Sequence, residues 1–412
     1  MGFANRCRRR CDGPTALRRG GRAIVYATTA SWVAGPARAD EVAGILAELT
    51  GTRPAGGSRA QPAGGSRARP AGGSRARPAG GSRAQPAGAR PLALALAAVV
   101  LLAGACTRDQ DAQPGPPPPS ASGETAWRRL APALSERTEV AATAVGKVVY
   151  VAGGFRADGA TVPTVEVYDI ARDRWTRGPD LPVAVNHAMA ATLGDTAYVM
   201  GGYPAAGGVS RRAFRLEGGR WTALPDLPEG RAAGTAVALD GRLYVAGGIG
   251  PGGLARSMLV FDLPTNRWST AAGPPTPREH LGGAGFGGRV YTVGGRAAGR
   301  GNFTAAEAYE PATGRWTRLP DLPTRRGGLA AAATGNGFVV AVGGEADATF
   351  EEAEAFDVRA GTWSSLPPLP TPRHGLGVVA VGTVLYTLAG GPRPGLHVSG
   401  AAESIDLAPV RP

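Results

Sequence analysis

From residue 140 onward the apolar positions come in short runs of four or five residues, and many of the runs stop at a glycine. Val148–Ala152 reads Val-Val-Tyr-Val-Ala before Gly153, Leu243–Ala246 reads Leu-Tyr-Val-Ala before Gly247, and Val290–Val293 reads Val-Tyr-Thr-Val before Gly294. Such runs, bounded by turn residues, predict buried strands. Asp240-Gly241 and Gly287-Gly288 directly precede two of them and predict two-residue hairpins, because both central positions of that turn need positive φ. Val165-Glu-Val-Tyr168 and Ala306-Glu-Ala-Tyr309 alternate instead. Alternation predicts strands buried on one face, with their glutamates on the polar side. No helical periodicity follows Cys106.

The strands recur in phase. Tryptophans stand at 127, 175, 221, 268, 316 and 363, and glycine pairs begin at 153, 201, 247, 294, 343 and 390. Tyr168, Phe214, Phe261, Tyr309 and Phe356 each precede a tryptophan by seven residues. Four strands in a repeat of about 47 residues predict the blades of a β-propeller.

The residues at the markers resemble the Kelch repeat: a glycine pair, an aromatic-Asp pair (Tyr168-Asp169, Phe261-Asp262, Phe356-Asp357), the tryptophan, then Leu-Pro-x-Leu-Pro with arginine soon after. The fullest copies run from Trp316 to Arg325 and from Trp363 to Arg373. The resemblance covers residues 125–412 and implies an all-β fold, a six-bladed Kelch-type propeller. Its last unit reaches Ile405-Asp-Leu407 but has no tryptophan strand, whereas Trp127 belongs to a strand with no blade of its own. The N-terminal strand is therefore expected to complete the last blade, which leaves no free edge in the ring.

Composition divides the chain. The formal charge of +13 falls almost wholly on residues 1–105, which carry 16 Arg and 4 acidic residues; the remainder is near +1. A nucleic-acid-binding domain should carry its own positive stripe, so no nucleic-acid partner is expected. Residues 1–90 include an eight-residue repeat built on Pro-Ala-Gly-Gly-Ser-Arg-Ala and are expected to be a disordered basic tail. Residues 91–106 form an uncharged apolar run that ends in Leu102-Ala-Gly-Ala-Cys106. The run predicts a signal peptide or anchor helix, and its end resembles the lipobox of bacterial lipoproteins, which implies lipidation at Cys106. The positive charge before it predicts that the chain beyond Cys106 faces outward. Residues 107–124 are a Pro-rich linker that holds the domain off the membrane.

The resemblance places the loops that lead into the innermost strands, together with the loops after the glycine pairs, on the face used for ligands. These loops carry Arg137, Asn186, His187, Arg231, Arg278, Glu279, His280, Arg325, Arg326, Arg373 and His374, with Arg156, Arg296 and Arg393 after the glycines. Arg137, Arg231, Arg278, Arg326 and Arg373 are expected to converge on one rim that recognises carboxylate or phosphate, since the planar fork binds such groups bidentately. The structural alternative for each arginine is to hydrogen-bond neighbouring carbonyls. Asn186, His187 and His374 are further candidate ligand contacts, and Glu279 and His280 are the candidate catalytic pair. The expected function is an extracytoplasmic, membrane-anchored, monomeric binding module for a protein, a peptide or a carbohydrate such as an anionic glycan. The alternative is a sugar-acid enzyme similar to N-acetylneuraminate epimerase, with Arg278 as anion clamp and Glu279 or His280 as base. Galactose oxidase also carries a Kelch propeller, but its cysteine-linked copper cofactor is excluded because Cys7, Cys11 and Cys106 are the only cysteines. No metal site and no cofactor are expected.

Overall fold

The computed structural model describes residues 125–410 and, before them, only the two-residue strand Tyr26–Ala27, which pairs antiparallel with an inner strand at Tyr26 opposite Ala191. The expected tail (1–90), signal or anchor (91–106) and linker (107–124) otherwise lie outside the described residues. Among the described residues there is no helix long and apolar enough to cross a membrane.

Six antiparallel four-stranded blades follow one another. The first is Ala141–Val145, Val148–Ala152, Val165–Asp169 and Arg174–Arg177, paired in that order. The sixth is Gly377–Val381, Val384–Leu388 and Ala402–Asp406, with Trp127–Arg129 as its outermost strand. Trp127 lies opposite Ile405, as Trp175 lies opposite Tyr168 in blade 1, so the expected closure holds in register. The inner strands converge on the axis and are built of small residues there, such as Gly-Gly-Ala-Gly at 282–285 and four alanines at 330–333. Larger side chains would not fit six strands around one channel.

Two markers need correcting. In blade 2 the hairpin Gly218-Gly219 is only two residues long, with both φ positive. Trp221 therefore lies opposite Leu216, and Phe214 is displaced by two positions along the strand. In blade 6 the pair equivalent to the glycines is Ala389-Gly390, with φ of 55° and 100°, and Gly391 occupies the next position.

The ring is fastened at three radii. At the mouth of the channel six residues with positive φ, namely Glu139, His187, Ala233, His280, Gly328 and Gly375, each donate a backbone N–H to the equivalent carbonyl of the preceding blade. The series runs from His187 to Glu139 at 3.1 Å round to Glu139 to Gly375 at 2.8 Å, which closes it. Slightly further out, the second residue of each glycine pair donates to a carbonyl of the following blade, for example Gly248 to Arg278 at 2.9 Å and Gly390 to Arg137 at 2.8 Å. A Cβ on Gly247 would come within 2.9 Å of that Arg278 oxygen and 2.8 Å of the Leu281 side chain, which favours glycine at residue 247. Outermost, each of the six blade tryptophans donates its Nε1–H to a carbonyl of the preceding blade: Trp175 to Ala131 at 2.7 Å, Trp221 to Pro179 at 2.8 Å, and so on to Trp127 with Pro367 at 2.8 Å.

Candidate functional site

The five arginines do not form a ligand rim. Arg137, Arg231, Arg278, Arg326 and Arg373 are all fully buried and committed to partners within their own blades. Each caps the carbonyl of the first residue of its glycine pair: Arg137 to Gly153 at 2.7 Å, Arg231 to Gly247 and Arg326 to Gly343 at 3.0 Å, Arg373 to Ala389 at 2.6 Å, and Arg278 to Gly294. Each also meets a carboxylate. Arg278 donates to Glu307 and Arg326 to Glu354, both at 2.6 Å. Arg137 lies 3.2 Å from Glu166, Arg373 pairs with Glu403, and Arg231 pairs with Glu229. Burial disfavours the charged guanidinium, and Glu403 opposes that effect without cancelling it, so the pKa of Arg373 falls to about 10.

The expectation of a shared basic opening is thereby corrected. The third strands are buried on both faces, so the glutamates read as polar-side residues point inward: Glu166, Glu307, Glu354 and Glu403 are at most 3% exposed. A buried carboxylate needs a paired cation, and the arginine supplies it. Arg278 is therefore not available as an anion clamp beside Glu279 and His280. Arg242, at the hairpin end of its strand away from the glycine pair, is by contrast half-exposed and paired with Asp262 at 3.0 Å.

What the channel mouth does gather is a different set. The residue after each arginine position bridges the residue after the glycine pair, as in Thr138 with Phe155, Glu279 with Arg296, Gly327 with Glu345 and His374 with Gly391; Asn186 pairs with Tyr203 in the same way. One position further on lies the positive-φ ring. These positions bring together three of the four histidines and three carboxylates. His187 Nε2 is 3.8 Å from Glu139 Oε2, and His374 Nε2 is 3.3 Å from Glu139 Oε1 and 3.5 Å from Glu345 Oε2. His280 Nδ1 lies 2.9 Å from Glu279 Oε2, and Arg296 donates to Glu345 at 2.7 Å while approaching Glu279 at 3.7 Å. The rings of His187 and His280 meet edge to face at 5.7 Å, with Tyr203 and Phe155 against His187.

Small neighbours let these groups lean inward. A Cβ on Gly375 would strike the carboxylate of Glu139, and one on Gly391 would strike the ring of His374. Asn186 positions His187: its Nδ2 donates to Thr161 at 2.7 Å and its Oδ1 faces His187 Nδ1. His374 Nδ1 faces the Gly391 carbonyl at 3.1 Å. Both contacts turn the Nε2 atoms toward the cluster.

The environment separates the histidines. Burial, then the neighbouring His280, Arg296 and His374, holds His187 well below the ordinary histidine value. Burial also works against a charged His374, but Glu139, Glu345 and the Gly391 carbonyl outweigh it and raise its pKa. Burial would raise Glu279 and Glu345; instead His280 and Arg296 lower the former, and His374, Arg296 and the Gly395 amide lower the latter. Among the described residues no group of three His, Cys, Asp or Glu side chains is set to hold a metal ion.

Sequence reasoning therefore picked out His187, Glu279, His280 and His374, which the fold unites with Asn186 beside them. It missed Glu139 and Glu345. Glu139 stands two residues after Arg137, as His280 stands after Arg278, and Glu345 follows its glycine pair as Arg296 does; aligning the repeats on those positions would have found both. Cys106 lies outside the described residues.

Six four-stranded blades, fastened blade to blade around a channel whose mouth carries the irregular side chains, define a six-bladed β-propeller. Residues 186–391 match the family model described as the KLHDC2/KLHL20/DRC7 Kelch-repeats domain, and residues 136–182 match the Kelch motif. The chain belongs to the Kelch-repeat family. It is 31% identical over 235 residues to the Kelch-like protein terF of Aspergillus terreus (51% of this chain, 50% of that protein). It is 28% identical over 223 residues to Kelch-like protein 25 of Xenopus tropicalis (51% and 37%), and 31% identical over 206 residues to Kelch-like protein 34 of Homo sapiens (49% and 24%). The match spans half or less of each of these relatives.

Proposed function

We propose that this propeller is an extracytoplasmic, membrane-tethered binding module that holds a protein or peptide partner on its loop face. One observation carries the reading. The six positions of the mouth ring share one backbone conformation yet bear Glu, His, Ala, His, Gly and Gly, so the scaffold repeats while its chemistry is individual to each blade. The two exposed large apolar side chains among the described residues, Leu134 and Leu396, lie on loops beside that mouth at the seam of blades 6 and 1. Kelch-like relatives support the reading at the level of family, and the apolar run ending at Cys106 supports the tether.

Two measurements test it. Cross-linking of the full chain in intact cells should trap a defined partner that is lost on Leu134→Asp with Leu396→Asp, both exposed positions where folding should be unaffected. Retention of every cross-linked product in that double variant would count against the loop face. Metabolic labelling with a fatty acid should mark the wild-type chain and not Cys106→Ala; an unlabelled wild type would remove the lipid tether.

A further inference from the structure

Among the described residues the mouth cluster has more carboxylates than cations. Glu139, Glu279 and Glu345 face one guanidinium, Arg296, which is turned to Glu345 and Glu279, and one histidine held toward its charged form, His374 between Glu139 and Glu345. Glu139 is 3% exposed; its neighbours among the described residues are neutral His187 at 3.8 Å and His374 at 3.3 Å, a histidine it shares with Glu345. Among the described residues Glu139 Oε2 accepts no hydrogen bond, and His187 Nε2 and His280 Nε2 are likewise buried without one. A carboxylate in such a place strongly favours a positive counter-charge that also donates hydrogen bonds.

We propose that the channel mouth receives an organic cation, the ammonium or guanidinium head of a lysine or arginine side chain of the partner, reaching in from the loop face. This deepens the loop-face reading and rests on it. The groups lie at graded depth: the Glu279 and Arg296 side chains are 17% and 14% exposed, whereas that of Glu139 is 3% exposed. A long unbranched stem can pass the first two and bring its head to the third. With Nδ1 turned to Asn186, neutral His187 presents Nε2 as an acceptor. A metal ion would need three donors around one point, and the nearby guanidinium of Arg296 would oppose a dication. An ammonium or guanidinium instead spreads its donors over several acceptors. The sign of the ligand is thus opposite to the anion that the arginines suggested in the sequence.

The test is calorimetric titration of the full chain with four capped tripeptides: Gly-Arg-Gly, Gly-Lys-Gly, Gly-Gln-Gly and Gly-Glu-Gly. The cationic peptides should bind at least about tenfold more tightly than the neutral one, with affinity falling as salt rises, and the acidic peptide should not bind. Glu139→Gln should remove the preference while keeping the side-chain shape. If that variant does not fold, Glu279→Gln should lower cationic affinity several-fold in its place. Equal binding of all four peptides, a preference for glutamate, indifference to both substitutions, or stoichiometric uptake of zinc chloride on the histidines would each overturn the proposal. A cross-linked partner that survives Glu139→Gln, with no cationic peptide bound, would sink the cation site and leave the loop face standing. Cationic peptides that bind while the leucine variants lose no partner would do the reverse.

Discussion

At the scale of single residues the arginines are the main lesson. Each fastens the carbonyl where the chain leaves the second strand, and four of the five meet a third-strand glutamate 28 to 30 residues later. Removing one partner leaves a buried charge uncompensated. Arg278→Met should therefore cost about 3–5 kcal/mol, whereas Arg278→Met with Glu307→Leu should recover most of it. Chemical denaturation of both variants measures this, and equal losses would show that Glu307 is not the partner that matters. The spacing, which varies by only two residues, was present in the sequence, but it joins residues on different strands of one blade, and alternation alone placed the glutamates on a solvent face. Blade 2 shows the coupling from the other side: Val185 stands at the arginine position and Phe214 at the glutamate position, two apolar side chains buried in one cluster. The histidines were legible for a different reason: they break the repeat, and departures from a repeat are visible without knowing what they touch.

At the scale of elements the strands were legible because their markers are periodic, and closure because one end lacked what the other had in excess. The two slips came where local turn chemistry outranked the period: a glycine pair shortening the blade 2 hairpin, and an alanine taking a left-handed position at 389. Trp127–Arg129 shows what one short strand contributes. It pairs with Ala402–Asp406, and its indole both packs beside the core of blade 5 and donates to Pro367. A chain beginning at Val140 should lose at least about 3 kcal/mol relative to one beginning at Glu124, the scale of deleting a buried aromatic side chain. Coincident thermal melts for the two chains would contradict closure by the first strand.

At the scale of the whole molecule, charge beyond residue 105 nearly cancels, so the response to pH between 5 and 8 should come from the mouth cluster rather than from a global field. The signs oppose one another. His187 stays neutral in the folded chain while the unfolded chain takes up a proton below about 6.5, so its contribution is lost as pH falls. His374 holds its proton above its ordinary value, so its contribution is complete below about 6.5 and lost as pH rises through the folded value. His187→Gln should therefore gain in melting temperature on acidification from pH 8 to 5.5, and His374→Gln should decline over the same range. Parallel curves for the two variants would rule out the opposed assignment. The seam between blades 6 and 1 has a consequence in time as well. A ribosome makes Trp127 well before its mate Ile405, and at about 5–20 residues per second the interval is on the order of tens of seconds. For all of that time the first strand has no mate, and blade 1 presents an open flank to any other nascent chain nearby. The clasp that makes the finished ring edgeless is thus also the moment of greatest exposure in its synthesis.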